Sequence, residues 1–252
     1  MEEHSFLYGP VNRALAALLG KPPVSTMSPK LSAFFFPNGV WLEDHVIMAL
    51  VLFLGLAIVL PLARRKFRKR DPNAFQNVNE ALIFGVRSLI DDVVGHKGAA
   101  DHFMPLLGSF TYFILIANLM GFFFFLTPPT VSFQTTLALA ITSFVYFNAQ
   151  GIREHGVLKY LAHFAGPIPL LAILIFPIEI ISNTVRILSL SLRLVGNIGG
   201  EHVATGAFFA MAPIFAPWPM MIMGLVGAAL QTFVFLILST LYIAFAVAHE
   251  EH

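Results

Sequence analysis

The sequence contains no cysteine. Disulfides, thiol nucleophiles and thiolate metal sites are therefore excluded, and cysteine usage carries no information about redox compartment. Charge is nearly as scarce. Only 12% of the 252 residues are Asp, Glu, Lys or Arg, against about 25% in a typical soluble domain. The opening residues lack a basic stretch followed by an apolar core, so no cleavable signal peptide is expected. No glycine-rich phosphate loop follows a strand pattern, so the chain itself should not hydrolyse nucleotide. The closing His249-Glu250-Glu251-His252 places its histidines three apart at the terminus, whereas a zinc protease helix needs them at i and i+4. No metal and no cofactor is expected, and no Ser–His pair has the spacing of an intramembrane serine protease. Internal repeats, which build the binding sites of many secondary transporters, are also lacking.

What is present is apolar. Hydrophobic residues make up 57% of the chain, and the mean hydropathy is +0.78. These values predict an all-α polytopic membrane protein, with residues 1–252 forming one integral membrane domain. Residues 1–40, broken by prolines, are read as an external segment in which Phe6–Leu19 is either an amphipathic interfacial helix or an irregular tail. Residues 41–63 form the first span, since the apolar run Val46–Ala63 gives ~27 Å of helix. It ends at Arg64-Arg65-Lys66-Phe67-Arg68-Lys69-Arg70, which marks the cytoplasmic side. Nucleic-acid binding is the other reading of a basic run, but this one abuts a membrane helix, so no nucleic-acid partner is expected.

Residues 64–102 form a cytoplasmic segment with an amphipathic helix, in which Leu82, Ile83, Val86, Leu89, Ile90 and Val93 share a face. Residues 103–126 and 131–149 are the second and third spans, joined outside by Thr127-Pro128-Pro129-Thr130. Residues 150–166 return as a second basic cytoplasmic loop. Residues 167–212 are too long for one upright crossing and too continuous for two, which predicts a long, strongly tilted helix. Residues 217–248 are a second such helix, completing a tilted hairpin and about five spans. The amino end is then outside and the carboxyl end cytoplasmic.

The chemistry concentrates in residues 179–202. Glu179, Ser182, Arg186, Ser189, Arg193 and Asn197 are spaced 3, 4, 3, 4 and 4, which places them on one helical face. An arginine at the centre of a bilayer helix costs roughly 2.5–3.5 kcal/mol even on a lenient scale, so the stripe should face protein or water. Arg186 could instead snorkel to the headgroups, whereas Arg193 has long apolar flanks on both sides. In the last helix Gly224, Gly227, Ala228 and Gln231 form a small-residue face with one strongly polar member. Such a face admits a close helix neighbour, and Gln231 is expected to partner the Arg193 region.

Ser191-Leu192-Arg193-Leu194-Val195-Gly196-Asn197, then Leu230-Gln231-Thr232-Phe233-Val234-Phe235, with Asn118-Leu119-Met120 and Pro177-Ile178-Glu179 upstream, resemble subunit a of the F-type (rotary) ATP synthase. The likeness covers essentially the whole chain. It implies a non-catalytic, ion-translocating stator subunit beside a ring of subunit c, with peripheral-stalk subunit b and membrane lipids as further partners. Two offset half-channels would serve ring carboxylates, with Arg193 between them promoting carboxylate deprotonation and blocking a direct leak. Glu179 and Ser182 would line the inner path, with Arg186 at its mouth. Asn197, His202 and Gln231 would line the outer path, and Asn118 a channel or packing position. Many bacterial members carry a glutamate nine residues after the arginine, paired with a histidine in the last helix. Here those positions hold His202, preceded by Glu201, and Gly224. Of Glu201 and His202, His202 is the expected relay because its pKa lies near neutrality. The translocated ion would be H⁺, with Na⁺ the other candidate, and the location a bacterial inner membrane. A stand-alone secondary transporter or channel is the alternative.

Overall fold

A computed structural model describes residues 7–19, 43–65, 67, 73–95, 98–122, 126–157, 160, 169–211 and 217–247. All regular elements among them are helical: α1 (Tyr8–Leu19), α2 (Asp44–Arg65), α3 (Ala74–Val94), α4 (Ala99–Met120), a 3₁₀ turn (Pro129–Val131), α5 (Phe133–His155), α6 (Pro169–Met211) and α7 (Pro217–Val247). Among the described residues three stretches are long and apolar enough to cross a membrane: Asp44–Arg65, Ala99–Met120 and Met221–Val247. The helix α5 falls outside this set because Gln134, Thr135, Thr136, Thr142, Ser143, Asn148 and Gln150 dilute its apolar character. At 43 residues, α6 reaches ~65 Å, about twice the bilayer core.

Several boundaries move from their expected places. The second span ends at Met120 rather than residue 126, because the chain turns at Gly121, whose N–H bonds back to Asn118 and Leu119. The third runs past residue 149 to His155 and stops where Gly156 adopts φ 78°, a backbone state that glycine enters without the Cβ penalty. The Pro128-Pro129-Thr130 turn, expected on the outer side, is fully buried within the protein and packs against α2 and α6. Residues 1–6, 20–42, 66, 68–72, 96–97, 123–125, 158–159, 161–168, 212–216 and 248–252 lie outside the described residues.

The corner between α3 and α4 is built by glycine and aspartate. Gly95 closes α3 at φ 86° and Gly98 opens α4 at φ 99°. The Asp91 carboxylate accepts from the N–H groups of Gly98 (3.2 Å) and Ala100 (2.9 Å), two donors that α4 cannot satisfy itself. Arg87 pairs with Asp101 across the corner. The helix α3 buries Gln76, Asn79, Val86 and Ile90 and packs against α4 and α7. One core cluster joins Val86 and Ile90 to Phe103, Leu107, Phe147 and Ile243. A second joins Phe110 and Ile114 to Ala140, Leu190, Leu194, Ile198 and Phe235. Where lipid surrounds the helices the hydrophobic effect gives little drive between them, and close packing takes its place. Gly151 shows this: a Cβ there would run into the Tyr160 ring and lie 3.0 Å from the Ala246 carbonyl oxygen.

Candidate functional site at the seam of the two long helices

On α6, Leu190, Ser191, Leu194 and Ile198 turn inward and are buried. The Ser191 hydroxyl lies 3.0 Å from the Ile187 carbonyl and 3.4 Å from that of Thr136 on α5. Phe235 of α7 meets Phe110 of α4 edge to face, with centroids 5.6 Å apart. These contacts fix the rotation of α6 and thereby aim its polar residues.

That rotation brings Asn197 and Glu201 onto α7. The Asn197 amide donates to the Gly227 carbonyl at 3.4 Å, and its Nδ2 would sit 3.2 Å from a Cβ at that glycine. One turn on, the Glu201 carboxylate fills the notch at Gly224, where any side chain would collide with it. As numbering rises on α6 it falls on α7, so the helices run antiparallel. One turn back along this register, Arg193 stands level with Gln231.

The two do not bond. Arg193 is exposed, while Gln231 is 5% exposed. An arginine only donates, so the expected pair would need Gln231 Oε1 as acceptor; among the described residues no such bond is formed, and Gln231 Nε2 has no acceptor either. The reason is angular: Arg193 points outward beside the exposed Leu192 and Gly196, whereas Gln231 shares the buried side of α7 with Ala228 and Thr232. Thr232 and Thr240 need no neighbour, since each bonds its own helix four residues back at 2.8 Å. Among the described residues Arg193 makes no ion pair.

Arg186 is half-buried, its guanidinium 5.1 Å from the centroid of the Tyr242 ring on α7, within the range of a cation–π attraction. Ser182 is half-buried on the same helix. Glu179 and His202 lie on the helix backbone, but their side chains fall outside the described residues. Asn118 is buried away from this seam. Its Oδ1 accepts from Thr130 at 3.0 Å, and its Nδ2 lacks a partner among the described residues.

Three features escaped sequence reasoning: the seating of Glu201, named only as the candidate beside His202, against Gly224; Tyr242 over Arg186; and Thr130 on Asn118. A glycine at position 224 opposite an acidic residue was the available signal for the first. The other two depend on inter-helix register, which no spacing within one helix encodes. Chemically, the seam offers an outward cation that cannot lose its proton, then an amide and a carboxylate about 6 Å apart along the helix.

A family model described as "ATP synthase A chain" matches residues 45–244. Among curated relatives, "ATP synthase subunit a" of a Nitratiruptor species is 42% identical over 217 residues, covering 84% of this chain and 96% of that protein. The protein of the same description from a Sulfurovum species is 41% identical over 209 residues, covering 81% and 86%. That of Geotalea uraniireducens is 40% identical over 192 residues, covering 76% and 82%.

Proposed function

The chain belongs to the ATP synthase A chain family and works in the proton-translocating membrane sector of an ATP synthase; on that premise we propose that its two long helices guide protons past Arg193 to and from carboxylates on a neighbouring ring of small subunits. Arg193 is the observation that carries this reading. It is an outward-facing guanidinium, with no ion pair among the described residues, midway along a 43-residue apolar helix. A charge so placed needs an opposite charge or water on its open side. A ring carboxylate supplies the charge, and the arginine in turn favours that carboxylate's ionised form. Since the arginine holds its proton, it separates two offset half-channels instead of joining them.

The outer half-channel runs along Asn197, Glu201 and Gln231. The Glu201 carboxylate wedged at Gly224 takes the relay position there, with His202 adjoining it. The inner path passes Ser182 and Glu179, and Arg186, steadied by Tyr242, guards its mouth. Asn118 packs against the Thr130 turn. In this reading the chain crosses the membrane five times, with a tilted α6–α7 hairpin, the amino end outside and the carboxyl end in the cytoplasm of a bacterium. It is not itself catalytic, and it binds the peripheral-stalk subunit b as well as the ring.

The test is proton flux in inverted membrane vesicles carrying the assembled complex. With Arg193→Ala, ATP-driven acidification is expected to vanish while the complex remains assembled. Pumping at the wild-type rate overturns the arginine's role. Translocation by the purified chain with no other subunit present would overturn the ring.

A further inference from the structure

The helix α2 joins the bundle through its first half only. Asp44, Ile47, Met48 and Leu52 are buried, and from Phe53 to Arg65 no residue is. The helix α3 instead packs against α4 and α7. The basic end of α2 and the first turns of α3 therefore diverge, enclosing a crevice of about 820 Å³, within the ~300–1,000 Å³ range of small-molecule sites. A smaller cavity of about 300 Å³ shares Ala63 and Phe67 with it.

The lining is apolar on its walls and charged at its rim. Ala63 of α2 and Ile83 of α3 form opposite walls, with Tyr112 of α4 also reaching the crevice. The polar groups inside are already paired with one another. The Tyr112 hydroxyl donates to Asn79 Oδ1 at 3.0 Å, and Asn79 Nδ2 to the Phe75 carbonyl at 2.8 Å. At the rim stand Arg64, Arg65 and Glu80. Glu80 accepts from Gln76 at 2.7 Å, whereas among the described residues no ion pair engages either arginine. Two guanidiniums against one carboxylate leave the rim positive, and Lys66, Arg68, Lys69 and Arg70 follow in sequence. The rim sits at the end of a membrane-length helix, which is headgroup depth. Outside, Val59 and Leu62 are each 52% exposed, so the walls continue into a lipid-facing surface.

We propose that this crevice binds one anionic phospholipid, with its phosphodiester on Arg64 and Arg65 and its acyl chains along Ala63 and Ile83. An apolar helix of another subunit fits less well, since it would strip water from two arginines without supplying a counter-charge. A basic pocket between membrane helices at the interface suits an anionic headgroup. The site lies on α2 and α3, away from the α6–α7 seam, and does not depend on how that seam moves protons.

The experiment uses the intact ATP synthase complex in phosphatidylcholine nanodiscs, titrated with a photoactivatable phosphatidylglycerol and mapped by peptide mass spectrometry. Labelling is expected on residues 60–67 and 79–83. A surface arginine is worth roughly a fivefold change in affinity for anionic lipid, so Arg64→Gln with Arg65→Gln should weaken labelling about 25-fold. Ala63→Trp, which fills the crevice and leaves both arginines, should weaken it as well and decides the matter if the double variant does not assemble. Millimolar inorganic phosphate should not compete. Equal labelling by a phosphatidylcholine probe, indifference to the variants, displacement by free phosphate, or a cross-link from Ala63→Cys into another subunit's helix would each overturn the proposal.

Discussion

At Gly224 a hydrogen atom in place of a side chain decides whether Glu201 can reach α7. A Cβ there collides with the carboxylate, whose flexible end must swing away. Gly224→Ala should therefore lower passive proton flux through the membrane sector after the catalytic head is stripped. Gly227→Ala, where the nearest Asn197 atom lies 3.2 Å from the added carbon, should lower it less. Equal fluxes in both variants and the wild type would separate Glu201 from the path. Gln231 makes the opposite case. Its buried Nε2 has no acceptor among the described residues, and an apolar residue of similar shape removes a donor that the fold leaves unpaired. Gln231→Leu should change thermal stability of the complex by no more than about 1 kcal/mol, yet reduce ATP-driven acidification. A large stability loss with pumping intact would make the glutamine structural.

The elements are held by a few corners and contacts, and the α3–α4 corner is the most constrained. Its glycines at φ 86° and 99° occupy a region that costs other L-residues about 1–2 kcal/mol. Gly95→Ala should lower the unfolding free energy by about that amount, read as an earlier denaturation midpoint of the complex in detergent. Gly98→Ala should do the same, and Asp91→Ala more, since two backbone donors lose their acceptor. The corner was hidden in the sequence because Asp91 looks like an ordinary polar residue of α3, and the glycines like ordinary loop residues, until α3 and α4 are folded together. The apolar face of α3 was legible in part: of the residues expected to share it, Val86 and Ile90 are buried, whereas Ile83 is 40% exposed. Helix ends were less so. The long phenylalanine run after Met120 extends the apolar pattern, but Gly121 has already turned the chain.

For the whole molecule, the lack of cysteine makes any introduced thiol unique and turns topology into a direct measurement. With five crossings, Lys69→Cys and Glu250→Cys should be labelled by an impermeant maleimide from the same face of the membrane, and His4→Cys from the opposite face. Labelling of positions 4 and 250 from one face would require an even number of crossings. The orientation rests on the cluster Arg64–Arg70, which resists translocation.

The sequence by itself determined that the chain is helical, lives in a membrane, and carries a polar stripe through Arg193 and Asn197. Composition sets the solvent a chain prefers, and a period of 3.6 residues sets which side chains share a face. Tertiary structure alone decided that Glu201 meets Gly224, that Gln231 turns away from Arg193, and that Pro128-Pro129-Thr130 is buried. The period fixes angles around one helix, but the rotation and register between two helices come from packing. Here that packing is Leu190, Leu194 and Ile198 against Phe110 and Phe235, together with the close approach that glycine permits on α7.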